Sequence, residues 1–417
     1  MFHDSSSAIF LTLALTAAAA AAAAKPIIQI REPNPTIDLN FAVRLNLSGV
    51  SLVAHDRARA AAMIFSTNTS DARKLRARAP AIDATNTGVT YVASVGVGAP
   101  ATTYSLVVDT GSANTWVGSG KAYARTSSSV DLGKNISVTY GSGYFEGKEY
   151  NDTVTLSPDL VITQQSIGEA IKSSGFGACD GILGLGPVDL TNKTLEGRET
   201  VPTVLNNLFT QNKISKEVVS ISFAPTTKQP NMNGVLTIGD TDATKFKGSL
   251  VYTPITRTAP ANRYWGIDQS IVYGAHRTNV LRATSGIVDT GSTLLLLATD
   301  AFDVYRNTTG AVLDKATGLL KISNEDYAKL ESLYFSIGGR TFEMTKNAQT
   351  FPRALNSYVG GDNNSIYLVA GDLGTDLGSG IDFINGYAFL ERFYSVYDTT
   401  NQRVGIATTE NTYSELN

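Results

Sequence analysis

Two aspartates in this 417-residue chain, Asp109 and Asp289, share the same five-residue setting, Val-Asp-Thr-Gly-Ser, 180 positions apart. Each acid ends a short apolar run ("SLVVD", "GIVD") and opens a tight Thr-Gly-Ser turn. A lone carboxylate at the end of a core strand is expensive to bury. Two within hydrogen-bonding reach cannot both ionise cheaply, so they share a proton and titrate as a unit. Such a pair holds an acid beside a base. The base can deprotonate a bound water while the acid protonates a carbonyl oxygen, which hydrolyses an amide without metal or covalent intermediate. The neighbours suit that task. Gly111 and Gly291 allow close backbone approach, and Ser112 and Ser292 can donate to the carboxylates and orient them. Thr110 and Thr290 offer hydroxyls that can bond across to the opposite strand. The duplicated context outweighs a reading as two unrelated Asp-Gly turns.

Other chemistries have little to work with. Cys179 is the one cysteine, so no intramolecular disulfide can form. With no Cys/His constellation around it, it reads as a small core residue rather than a nucleophile. His276, in "YGAHRTN", reads as a solvated loop residue. Three histidines and one cysteine provide none of the usual metal-ligand spacings, so neither metal nor cofactor is expected.

The elements that must position the acids are mostly strands. From Val89 on, "VTYVASVGVG", "TYSLVVDTG", "ISVTYGSGYFEGKEY" and "DTVTL" alternate apolar and polar residues between Gly, Ser, Asn and Asp turns. Short helices are predicted near 201–211 and 298–310. Each half carries a later apolar-to-glycine element, "GILGLGP" and "DFINGYAFL". The internal repeat predicts two homologous lobes that meet around two equivalent acids.

Composition is that of a folded protein, 42% hydrophobic and 17% charged. Charge is unevenly spread. Residues 25–80 hold nine basic and four acidic residues, +5, whereas 81–417 carry −7 once the −1 of residues 1–24 is set against the chain's −3. An acidic body disfavours a nucleic-acid role, and a basic segment ahead of it is suited to lie on it. The opening "MFHDSSSAIFLTLALTAAAAAAAAKP" resembles a signal peptide's apolar core and small-residue cleavage zone, here 1–24, despite an n-region without Lys or Arg. No other apolar run could span a bilayer and the C-terminus is too polar for a lipid-anchor signal, so no stable membrane anchor is expected. Residues 25–78 read as a removable, partly helical pro-segment that closes in Arg/Lys clusters before Pro80. Asn135, Asn151, Asn192, Asn307 and Asn363 head Asn-X-Ser/Thr triplets and are glycosylation candidates.

These motifs resemble the pepsin-like family of aspartic proteases over roughly residues 77–408. "VVDTGSANTWVGS" and "GIVDTGSTLL" are similar to that family's two catalytic loops, which places the dyad on Asp109 and Asp289. "VTYGSGYFEG" resembles its flap, with Tyr140, Gly141 and Ser142 closing over substrate and Trp116 as the tyrosine's indole partner. "GPVDLT", "PTVLNNLF", "YTPIT" and "FLERFYSVYDTT" resemble most the disulfide-free secreted basidiomycete enzymes, the polyporopepsin-like group. One departure is Asn385, in the second apolar-apolar-Gly element, where many relatives have Leu; a buried Asn needs partners.

The resemblance implies an all-β bilobal fold, with an N-terminal lobe over 79–258 and a C-terminal lobe over 259–417. It implies a secreted, monomeric endopeptidase, with an acidic vacuole as the alternative location. Its substrate is an extended peptide or unfolded protein, cut at acidic pH between large apolar residues. Its own pro-segment acts as intramolecular inhibitor, and the charge split suggests how: the +5 segment covers the −7 body at neutral pH, and protonation of carboxylates as pH falls weakens that attraction. The rival is a catalytically silent peptide- or protein-binding homologue, whose expected mark is loss of one acid; both acids are present.

Overall fold

The structure, a computed structural model, describes residues 37–45, 51–65, 89–141, 143–176, 179–228 and 231–416. The expected signal segment 1–24, the expected pro-segment apart from 37–45 and 51–65, and flap residue Ser142 lie outside the described residues. The chain divides into two units, Met1–Pro33 and Asn34–Asn417, and every described residue belongs to the second. Among the described residues no helix is long and apolar enough to cross a membrane.

The first eleven described strands are β1 (Ile37–Leu45), β2 (Val89–Val97), β3 (Thr102–Asp109), β4 (Trp116–Val117), β5 (Val130–Tyr140), β6 (Gly143–Ser157), β7 (Leu160–Ser174), β8 (Gly181–Gly184), β9 (Val218–Phe223), β10 (Asn231–Ile238) and β11 (Lys247–Pro254). Then come β12 (Gly266–Tyr273), β13 (Thr278–Val288), β14 (Leu295–Leu297), β15 (Val312–Leu313), β16 (Leu320–Ile322), β17 (Leu333–Ile337), β18 (Arg340–Met344), β19 (Ile366–Leu368), β20 (Ala370–Asp372) and β21 (Phe383–Asn385). The last two are β22 (Phe393–Asp398) and β23 (Arg403–Thr408). One sheet of thirteen strands runs β11-β23-β22-β9-β10-β1-β2-β3-β8-β4-β7-β6-β5, with β2 also pairing β6. A seven-stranded sheet runs β18-β17-β12-β13-β21-β14-β20, and β15-β16-β19 form a small third sheet. The large sheet therefore takes strands from both sides of residue 258, with β22 and β23 returning to join β9 and β11.

The repeat seen in the sequence is a repeat of topology. β3 runs parallel to β8 and ends on the pairing Asp109 with Gly184, while β13 runs parallel to β21 and ends on Val288 with Asn385. In each half a short strand then pairs antiparallel with that neighbour (β4 on β8, β14 on β21) and parallel with the next (β4 on β7, β14 on β20). β3 is covered on both faces over its last four residues, which explains an unbroken Leu-Val-Val run in place of alternation.

Helices are few. α1 (Leu52–Phe65) lies in the basic N-terminal segment, and α2 (Val204–Thr210) and α3 (Thr299–Thr309) fall in the two predicted windows. Thr203 caps α2 in a reciprocal box with Asn206. α3 buries Ala301, Phe302, Tyr305 and Thr309, one stripe of the helix.

The sequence did not disclose that the N-terminal segment supplies a strand to the middle of the large sheet. β1 sits between β10 and β2, antiparallel to both. Phe41 on β1 is fully buried, edge-on to Tyr91 at 5.2 Å and to Phe223 at 5.1 Å. Its cross-strand partner is Gly234, where any Cβ would overlap the Phe41 ring. Asn385 finds the partner its burial demands. Its amide donates to Gln269 Oε1 at 2.8 Å and its Oδ1 accepts from Gln269 Nε2 at 3.1 Å.

Candidate active site

Asp109 at the end of β3 and Asp289 just beyond β13 are both almost wholly buried, 1% and 0% exposed. The two turns dress them alike. Ser112 Oγ donates to Asp109 Oδ2 at 2.6 Å, and Ser292 Oγ donates to Asp289 Oδ2 at 2.7 Å. The Gly111 N–H donates to Asp109 Oδ1 at 2.9 Å, and the Gly291 N–H to Asp289 Oδ1 at 3.0 Å. The threonines tie the two loops together. Thr110 N–H donates to Thr290 Oγ1 and Thr290 N–H to Thr110 Oγ1, both at 3.0 Å, while the Thr290 hydroxyl donates to the Val108 carbonyl at 2.9 Å. All six predicted supporting residues thus gather round the two acids, in near two-fold symmetry.

A seventh residue, not singled out from the sequence, occupies the centre. Arg59 on α1 donates from Nε to Asp289 Oδ2 at 2.8 Å, and from Nη2 to Asp109 Oδ1 at 2.5 Å and Asp289 Oδ1 at 3.0 Å. One guanidinium bridges both carboxylates in the forked geometry that arginine favours. Burial alone would lower the Arg59 pKa, but the charges of Asp109 and Asp289 overcome it and raise it above the ordinary value. Burial likewise pushes the Asp289 carboxyl up, but Arg59, Ser292 and Gly291 outweigh it and hold it below the ordinary carboxylate range. In this covered state the balancing charge is therefore a guanidinium rather than the shared proton expected of a bare pair. Nothing in "HDRARAAAMIF" singles out Arg59 by itself, since 50 and 230 residues separate it from the two acids.

The β5–β6 hairpin closes over this point. Tyr140 is buried, and its hydroxyl accepts from Trp116 Nε1 at 2.9 Å. Trp116 is fixed in turn by stacking on Phe145, 4.4 Å between centroids and 16° from parallel. Gly141 lies so close to the Ala58 carbonyl of α1 that a Cβ there would overlap it. Beside Arg59 and Met63 a pocket of about 420 Å³ stays open, walled by Ser112, Tyr140, Leu190 and Tyr264. Of the glycosylation candidates, Asn135, Asn192, Asn307 and Asn363 are exposed and Asn151 is half-buried on β6. Cys179 is buried, as a core residue would be. Among the described residues no group of His, Cys, Asp and Glu is arranged to hold a metal ion.

Two lobes that each deliver one supported carboxylate to a common cleft define a class of acid-dyad hydrolases. The comparisons agree. Residues 90–409 match the family model for eukaryotic aspartyl protease, and the chain belongs to that family. Polyporopepsin of Irpex lacteus is 57% identical over 341 residues, covering 81% of this chain and 100% of the relative. The vacuolar aspartic protease of Candida albicans is 29% identical over 336 residues, 77% of this chain and 75% of the relative. The crystal structure of aspartic proteinase from Irpex lacteus superposes with a TM-score of 0.77 at 57% identity, covering 79% of this chain and 96% of that one. The fold is the bilobal pepsin-like one and the activity is that of an aspartic endopeptidase, a hydrolase of peptide bonds.

Proposed function

We propose that this endopeptidase is made as a latent precursor, with Asp109 and Asp289 as its catalytic dyad and residues 25–78 as its intramolecular inhibitor. The observation that carries this reading is Arg59, whose guanidinium spans both carboxylates from a helix inside that segment. A water held between the acids cannot share that position with a guanidinium. Once α1 leaves, the dyad takes up one proton and a water. The ionised carboxylate takes a proton from the water as its oxygen attacks the scissile carbonyl carbon, and the protonated partner gives its proton to the carbonyl oxygen. The tetrahedral diol then collapses. A diol proton returns to the dyad, a dyad proton passes to the leaving nitrogen, and the C–N bond breaks. Ser112, Ser292, Gly111 and Gly291 keep the carboxylate oxygens oriented through both steps, and Thr110 and Thr290 hold the two loops in register. The substrate lies extended along the cleft as an added strand would, under a flap of Tyr140, Gly141 and Ser142 steadied by Trp116.

The working conditions follow from the same chemistry. The dyad works with one proton, so activity is acidic, and the preference for large apolar side chains on both sides of the cut is carried by the family likeness. The chain acts as a monomer after loss of a signal at 1–24, outside the cell, and carries glycans at some of the five Asn triplets. A vacuolar setting is the second reading, favoured by the likeness to the Candida albicans enzyme. The test is to digest an unfolded protein with the processed chain across pH and map the cuts by mass spectrometry. Activity confined to acid pH with cuts between large apolar residues is expected. A neutral optimum, or cuts clustered beside charged residues, would reject the substrate and pH parts of the proposal.

A further inference from the structure

α1 is held over the cleft at a second point whose chemistry is opposite to that of Arg59. Asp56, one helical turn earlier on the same face, is fully buried. Its Oδ2 accepts from two successive backbone N–H groups of the second catalytic loop, Thr293 at 2.9 Å and Leu294 at 2.8 Å. Its other oxygen lies 3.1 Å from His55 Nδ1. Thr293 and Leu294 directly follow the Asp-Thr-Gly-Ser turn, so the loop that supplies Asp289 to the dyad has its backbone donors occupied too. A buried carboxylate is tolerated only where donors meet it. Here the body supplies two, and no other acid of α1 exists to take its place, since Asp56 is the only Asp or Glu between Leu52 and Phe65.

We infer that Asp56 is a positioning residue of the latent state: the anionic half of a two-point latch that fixes α1 in register, so that Arg59 meets both aspartates. The i, i+3 spacing puts acid and arginine on one face of the helix. A one-residue rotation of α1 would take both out of reach at once, whereas Arg59 alone, on a long flexible stem, could follow the dyad through several helix positions. Asp56 therefore supplies the precision and Arg59 the blockade. The inference rests on the proposal that residues 25–78 inhibit the enzyme.

The test uses the full-length precursor at a near-neutral pH where it stays intact, as wild type, Asp56→Ala, Asp56→Asn and Arg59→Gln. Two quantities are read: the affinity of a statine-containing peptide for the cleft, and amide hydrogen exchange at Thr293 and Leu294. Asp56→Ala is expected to raise peptide affinity at least tenfold and to strip protection from those two amides. Asp56→Asn, which keeps an acceptor but loses the charge, should fall between Asp56→Ala and wild type. Excision of the segment with an added protease leaves the same body from each Asp56 variant, so equal kcat/KM after excision shows that the variants folded. If Arg59→Gln opens the cleft while both Asp56 variants match wild type, the latch is wrong and inhibition by the segment survives. If the wild-type precursor binds the peptide as tightly as the excised enzyme, the inhibitory segment is wrong and the latch falls with it.

Discussion

Asn385 and Trp116 show how single side chains near the site are held by one specific partner. Asn385 is the polar residue that interrupts an apolar strand beside Asp289, and it is satisfied by a reciprocal amide pair with Gln269. Replacing it with Leu leaves the Gln269 amide buried and unpaired, which costs about 1–3 kcal/mol. The Asn385→Leu protein should melt at a lower temperature in calorimetry, and the double change with Gln269→Leu should recover part of the loss. An Asn385→Leu protein as stable as wild type would show that the pair contributes nothing. Trp116 donates to the Tyr140 hydroxyl. Trp116→Phe keeps the stacking surface and removes the donor, so kcat/KM should fall by about tenfold, the size of one lost hydrogen bond. Unchanged kcat/KM would mean that the flap does not need this anchor. The acids and their Thr-Gly-Ser supports were legible in the duplicated motif, whereas the Trp116–Tyr140 pair, 24 residues apart, was legible only through the family resemblance. Gln269 as the partner of Asn385 was not legible, because no repeat or shared motif links these two residues across the 116 positions between them.

At the scale of elements, β6 and β1 carry the informative residues. Glu149 on β6 is 1% exposed, accepts a hydrogen bond from Ser166, and its Oε2 has no partner among the described residues. Burial drives its pKa up to about 8, against a smaller lowering by Ser166. A carboxyl with a raised folded pKa binds its proton more tightly folded than unfolded. Its contribution is full below the unfolded value near 4.5 and is lost as pH rises through about 8. Glu149→Gln removes that dependence. Its thermal stability should match wild type in acid and exceed it near pH 8, by an amount on the order of a few kcal/mol. Parallel stability–pH curves for the two proteins would refute this. β1 brings Phe41 into the aromatic cluster with Tyr91 and Phe223. Phe41→Ala should cost about 3–5 kcal/mol, read as a lower denaturant midpoint of the intact chain. A midpoint within error of wild type would mean that β1 is not part of the cooperative core. The strands around both acids announced themselves through alternation and turn residues. β1 did not, because "IDLNFAVRL" lies in a basic, alanine-rich stretch and its pairing partners, β2 and β10, are distant in sequence.

For the molecule as a whole, the duplicated Val-Asp-Thr-Gly-Ser predicted two lobes with one acid each, and the matching order of strands in the two halves is that duplication in three dimensions. The basic N-terminal segment was legible as a cover for an acidic body; that it reaches the dyad through Arg59 and enters the sheet through β1 needed the fold. A chain whose N-terminal segment fills both a sheet position and the cleft should melt higher at neutral pH than the form from which that segment has been excised, and that difference should shrink as pH falls and Asp289, held below the ordinary carboxylate range by Arg59 against the effect of burial, takes up its proton. A segment that stays equally bound at about pH 3.5 and about pH 7 would contradict the charge-based account of latency. The central claim is that the two lobes share a single reaction centre. Cleavage of an unfolded protein in acid by the processed chain tests it most directly, with wild type set against Asp109→Asn and Asp289→Asn. Either substitution should remove activity by a factor of about 10³ or more, since each acid–base partner alone is worth 10²–10⁴. Undiminished cleavage by either variant would contradict it.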